Sequence, residues 1–202
     1  MLFRSAITVA EDDALAWVAI SSGSDDIVLA TIEGRIARFP EKEVRPMGRD
    51  AAGVIGIRLA RKGDEVVGMG VVEPGADILV LTETGYGKRV ALDEFRTKHR
   101  GSQGVRLIPI EGRKTGPVAA VELVSEADEE LLLISREGQV VRTDVKSVAR
   151  YGSGARGVAV MRLNAGDEVA GIAVFRAGAP EGLDIGEHGN EAYHGFVMVR
   201  TE

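Results

Sequence analysis

The chain has 202 residues, 45% of them hydrophobic and 4% aromatic, so it can fill one large core or two small ones with Val, Ile, Leu and Ala and is too apolar for wholesale disorder. It has no cysteine, which excludes a disulfide scaffold, thiolate metal ligands and a cysteine nucleophile, and no apolar run nears the ~20 residues of a membrane span. Its formal charge of −6 argues against a nucleic-acid binder unless the cations are gathered in one place.

The opening MLFRSAITVAEDD lacks a long apolar stretch and a small-residue cleavage site, so it does not read as a signal peptide. Residues 6–21 (AITVAEDDALAWVAIS) look like the last two strands of a unit whose first hairpin is missing, with Trp17 in the core. From Asp26 a pattern begins that returns twice. It reads DIVLATIEGRIARFPEKEVRPMGRDAAGVIGIRL at 26–59, DILVLTETGYGKRVALDEFRTKHRGSQGVRLIPI at 77–110, and ELLLISREGQVVRTDVKSVARYGSGARGVAVMRL at 130–163. Gly34, Gly85 and Gly138 fall 51 and 53 residues apart, and the Gly-Val pairs at Gly53, Gly104 and Gly157 keep the same intervals.

Each unit reads as β structure. An Ile-, Leu- and Val-rich run reaches a Glu-Gly or Thr-Gly turn, where glycine supplies the positive φ of a tight hairpin, and a second strand follows. A polar loop leads to a third strand (Val54–Leu59 in the first unit) and a fourth (Glu65–Val72, Pro117–Val124, Glu168–Phe175). The fold class predicted is all-β: a partial β-propeller of four-stranded blades that must stack, because no blade buries both its faces alone. The predicted divisions are the end of a preceding blade (1–25), blades at 26–76, 77–127 and 128–176, and an acidic, glycine-rich loop or tail at 177–195. A last strand at 196–202 either opens a truncated blade or pairs with the N-terminal strands to close the structure.

Charge follows the repeat. The windows 31–62, 83–114 and 136–162 hold 22 of the 25 Lys and Arg but 10 of the 31 Asp and Glu, so they carry +12 and the rest of the chain −18. Arg38, Arg89 and Arg142 each stand four residues after the turn glycine. With Arg45, Arg49, Lys88, Arg96, Lys98, Arg100, Lys146, Arg150 and Arg156 they predict a curved cationic track for duplex phosphates, which lie one per ~1.7 Å of axis. Tyr86, Phe95 and Tyr151 are too few to stack bases, so the track favours duplex backbone over single strands.

Other motifs carry less. GSGARG (Gly152–Gly157) has the spacing of a dinucleotide fingerprint, but a strand, not a helix, is predicted after it. TGYGKR (Thr84–Arg89) lacks the P-loop spacing and reads as a hairpin turn. His99 could touch phosphate, while His188 and His194 have no metal-ligand spacing. The carboxylates Glu11–Asp13 and Asp128–Glu130 read as solvated loops, and Ser21, Ser22 and Ser24 have no His nearby in sequence. No catalytic, metal or cofactor residue is predicted.

The segments VRPMGRDAAGVIGIRL, TETGYGKRVALDEFRTKHRGSQGV and VRTDVKSVARYGSGARGVAVMRL resemble consecutive later blades of the C-terminal domain of DNA gyrase A, and the resemblance runs from about Asp13 to Phe175. It implies a β-pinwheel, a propeller whose blades exchange strands, that wraps double-stranded DNA on a positive rim and supports negative supercoiling. It also implies a non-catalytic chain of a cytoplasmic, nucleoid-associated bacterial type IIA topoisomerase, without cofactor or membrane contact. The partners implied are the rest of gyrase A, with the cleavage tyrosine, and a separate ATPase subunit. The QRRGGKG-like box of that family is absent here, and HRGSQG and GSGARG stand at its position. The acidic stretch 177–195 resembles gyrase A tails that compete with DNA for the rim. The corresponding C-terminal domain of topoisomerase IV shares the fold and is the near alternative. A protein-interaction propeller of kelch-type repeat length, without DNA, is the distant one.

Overall fold

A β-hairpin opens each repeat, because an apolar run, a glycine turn and a second apolar run leave the chain no cheaper way to pair its backbone. The computed structural model describes residues 7–11, 13–48, 51–125, 128–176 and 195–201. After β1 (Ala14–Ser21), the first repeat gives β2 (Asp26–Thr31), β3 (Arg35–Pro40) and β4 (Val66–Val71). The second gives β5 (Asp77–Thr82), β6 (Tyr86–Ala91), β7 (Val105–Arg106) and β8 (Val118–Val124). The third gives β9 (Asp128–Ser135), β10 (Val140–Asp144), β11 (Val158–Ala159) and β12 (Val169–Arg176), and β13 (Gly195–Thr201) follows. A single 3₁₀ turn follows each hairpin, at Glu41–Glu43, Leu92–Glu94 and Val145–Ser147.

The sheets do not coincide with the repeats. Their orders are β4-β2-β3-β7, β11-β6-β5-β8, β10-β9-β12 and β1-β13. The third strand of the second repeat therefore pairs with the first blade, and that of the third repeat with the second. This exchange of strands between neighbouring repeats is the β-pinwheel arrangement that the family resemblance implies. The predicted strand Val54–Leu59 is corrected: only Ile57 bridges there, in parallel to Ser102. Its counterparts are strands because an edge strand, β3 or β6, receives them. At the N-terminus a single strand, β1, replaces the two expected among the described residues, and it pairs antiparallel with β13. The acidic stretch 177–194 lies outside the described residues. Asp128 and Glu130, expected in a loop, lie in β9, with Asp128 buried.

Period-two alternation distributes each blade between two cores. On β2, Ile27 and Leu29 join Ala37, Phe39, Ile57 and Val66, with Trp17 packed against them, while Val28 and Ala30 face the second blade. On β5, Ile78 and Val80 face back to that same core, and Leu79 and Leu81 face forward to Leu131, Leu133, Val145, Val148 and Met161. Each such side chain contributes roughly 1.5–3 kcal/mol on burial, so the seams between blades supply the stability that no blade has alone. The fourth strands β4, β8 and β12 pack against one another in turn, which sets them around a common axis. β3, β6 and β10, on the far side of each sheet, therefore lie at the rim, the first two bordered in part by the short β7 and β11.

Candidate nucleic-acid interface

The periodic arginines lead into the seams. Arg38 Nε donates to Asp26 Oδ2 at 2.8 Å, and its Nη1 reaches the carbonyls of Leu92 and Phe95 in the next repeat at 3.5 and 3.4 Å. Arg89 repeats the arrangement: Nε donates to the Val148 carbonyl at 2.8 Å, and Nη1 meets Asp77 at 3.4 Å. The acids also hold the following repeat, Asp26 through the Thr97 hydroxyl at 2.7 Å and Asp77 through Arg150 at 2.6 Å. Both guanidinium groups are largely withdrawn from solvent, at 18% and 20% exposure. Arg142 forms the same pair with Glu130, its side chain bonds no other described residue, and it stays 67% exposed.

Two glutamates complete the seams. Glu43 Oε2 accepts the Arg100 backbone N–H at 2.8 Å, and Glu94 Oε2 accepts that of Ser153 at 3.0 Å. Arg100 and Ser153 are repeat equivalents, as are the glutamates. The Arg100 N–H, opposed by partial burial and helped by His99, holds the Glu43 carboxyl below its ordinary 4.5. His99 Nδ1 sits 2.7 Å from Glu43 Oε1. Sequence reasoning missed the glutamates, although the spacing of 51 was available to find them.

Lys88 is fully buried. Its Nζ donates to the carbonyls of Gly152 at 2.8 Å and Ser153 at 3.1 Å, and burial, opposed by the charge of Glu94, pulls it down to about 8. GSGARG is accordingly a loop over the seam, and the strand β11 follows it.

The remaining described cations of the predicted set lie on the loops after the 3₁₀ turns, except Lys146, which lies within the third of those turns. Lys98 N–H donates to the Arg38 carbonyl and Tyr151 N–H to the Arg89 carbonyl, each at 2.8 Å, so these loops run along the rim edges of β3 and β6. Arg45, Arg96, Lys98 and Lys146 are exposed, and none has a side-chain hydrogen bond or ion pair with a described residue. The Arg100 guanidinium bonds the backbone carbonyls of Glu43 and Ile55. Arg150 meets Asp77, while Arg156 meets Glu111 at 3.4 Å and lies over the Tyr86 ring at 5.2 Å. Arg49 lies outside the described residues. Lys42, Arg58 and Arg162, absent from the predicted set, are exposed and unpaired among the described residues; Lys42 is the repeat counterpart of Lys146, and Arg58 that of Arg162.

Nothing in this geometry resembles an acid/base or metal centre. Among the described residues no group of three His, Asp or Glu is placed to hold a metal ion, and no helix is long and apolar enough to cross a membrane.

The DNA gyrase C-terminal domain, a β-propeller, matches at residues 25–73, 76–125 and 129–176, one segment per repeat. DNA gyrase A of Staphylococcus aureus strain MRSA252 is 38% identical over 180 residues, which is 88% of this chain and 20% of that protein. Gyrase A of strain NCTC 8325 gives the same values, so this chain spans about a fifth of such relatives. A solved DNA gyrase A C-terminal domain superposes with TM-score 0.69 and 30% identity, over 75% of this chain and 51% of that one. The C-terminal domain of DNA topoisomerase IV reaches TM-score 0.79 over 85% of this chain and 53% of that one; at 23% identity, that likeness is one of fold. With all three of its repeats matched in register, this chain belongs to the family of the DNA gyrase C-terminal domain.

Proposed function

We propose that this chain wraps duplex DNA along its rim, by phosphate contacts without base readout, as a module of a gyrase-like type IIA topoisomerase. The observation that carries this reading is the row of unpaired cations on successive rim loops: Arg45, Arg96, Lys98 and Lys146. Arg100, Arg142, Arg150 and Arg156 flank the row with their guanidinium groups partly committed. Bending a duplex costs on the order of 1–6 kcal/mol per 20–30 base pairs, which such a row offsets only if contacts are numerous. Arg38, Arg89 and Lys88 serve this function indirectly, by joining the blades that carry the rim.

In the whole enzyme the strand-breaking tyrosine belongs to another part of gyrase A, and ATP hydrolysis to a second subunit. This chain then supports negative supercoiling in the bacterial cytoplasm, at the nucleoid, without cofactor or membrane. The greater identity to gyrase A than to the topoisomerase IV domain favours gyrase. Ligation of nicked circular DNA with the chain present tests the reading. A shift in linking number that disappears at high salt supports it, and an unchanged distribution at saturating protein overturns it.

A further inference from the structure

Lys88 is the only Lys or Arg among the described residues that the fold removes wholly from solvent. The same place in the other repeats holds Ala37 and Val141, so the seam does not require a charge there. Its ammonium meets two backbone carbonyls and no carboxylate. Glu94, the acid whose charge acts on it, is itself engaged by the Ser153 N–H, while Asp77 on the paired strand is held by Arg89 and Arg150. An ammonium held by two dipoles beneath a loop is solvated worse than in water, whereas a neutral amine still offers two N–H donors for the same two carbonyls.

We propose that the loop 152–157 is a proton-linked latch: where the covered Lys88 amine is neutral, the loop opens with uptake of one proton at Nζ. Closing then returns that proton to solvent, and no other bond changes. The loop begins two residues after Arg150 and contains Arg156, whose perch on Tyr86 and Glu111 belongs to the closed form. Where the covered amine is neutral, opening therefore adds the Lys88 charge to the rim, and it releases Arg156. The latch is a property of the seam itself, whether or not the rim meets DNA.

Linkage fixes the sign. Lys88 titrates at about 8 when covered and near its ordinary 10.5 when exposed, so the open form binds the extra proton between these values. Amide hydrogen exchange on the full chain, corrected for the intrinsic pH dependence, reads the opening of residues 152–157. In the wild type the opening constant falls about ten-fold per pH unit as pH rises between those two values, and is flat below them. Lys88→Met abolishes the slope. Glu94→Gln retains it and moves its onset to lower pH, because the Glu94 charge is what raises Lys88. A loop whose opening has the same pH dependence in wild type and Lys88→Met overturns the proposal, as does an onset in Glu94→Gln displaced to higher pH. If Lys88→Met does not fold, nitrogen NMR of Nζ in the wild type decides: titration near 8 supports the latch, and titration near 10.5 overturns it.

Discussion

Arg89 crosses from the second blade to the third, where its Nε donates to the Val148 carbonyl at 2.8 Å. Arg38 makes the equivalent crossing to Leu92 and Phe95, whereas the Arg142 side chain makes no such crossing among the described residues. Hydrogen bonds to a charged donor contribute about 1.5–3 kcal/mol, so Arg89→Ala and Arg38→Ala should each destabilise the chain by about 2 kcal/mol. Arg142→Ala should leave the urea midpoint where it was. Equal midpoint shifts for all three would remove the assignment of the first two to the seams.

The turn glycines provide a second contrast within one repeat position. A Cβ on Gly85 would stand 2.3 Å from the Met161 carbonyl oxygen and one on Gly34 would stand 2.5 Å from that of Ile108, whereas one on Gly138 meets nothing within 4 Å. All three have positive φ. Alanine at Gly138 should cost only the left-handed backbone penalty, about 1–2 kcal/mol. At Gly85 and Gly34 a backbone carbonyl of the next repeat must also move, adding about 1–3 kcal/mol more. Urea unfolding of the three variants should separate Gly138→Ala from the other pair.

The repeat, the hairpins and the all-β class were legible because they are local: alternation, a turn glycine and a fixed interval. Strand exchange entered only through the family resemblance, since the residues Val105 and Arg106 carry no mark of their own of pairing with β3 rather than with their own blade. The same difficulty affected the site. Arg38 and Arg89 keep register with the repeat because each seam needs a guanidinium, and periodicity alone does not distinguish a seam cation from a rim cation. Asp26 and Asp77, twelve residues earlier, were the signal that these charges had partners. Lys88 was open to the same reading, for its neighbours on β6 are glycine and a seam arginine. Arg96 and Lys98, by contrast, follow a repeating acid, Glu94, that is taken by the Ser153 N–H, and their side chains have no partner among the described residues.

Glu43 links acid stability to a seam. Chiefly through the Arg100 N–H, its carboxyl in the folded chain lies below the ordinary 4.5. A depressed acid contributes stability that is present above the unfolded value and is lost as pH falls through the folded one. The difference in urea midpoint between wild type and Glu43→Gln should therefore be constant at neutral pH and shrink steadily once pH falls below 4.5. A difference that persists undiminished at the most acid pH where the chain folds would show that the Arg100 contact does not depend on the charge.

Rim and turn ends of the blades can be told apart by salt. Arg96 and Lys98 lie on the rim loop of the second repeat, whereas Lys62 and Lys114 lie beside the hairpin-turn contacts of Glu33 with Arg61 and of Thr84 with the Lys114 carbonyl. All four are exposed and unpaired among the described residues, so reversing either pair changes the net charge equally. Each phosphate neutralised adds about 0.9 to the slope of log affinity against log salt, so Arg96→Glu with Lys98→Glu should lower that slope by about 2 on a random-sequence duplex. Lys62→Glu with Lys114→Glu should leave it nearly unchanged. Equal losses from the two pairs would mean that the duplex responds to total charge and not to the rim, and the assignment of the DNA path to the loops after the 3₁₀ turns would have to be abandoned.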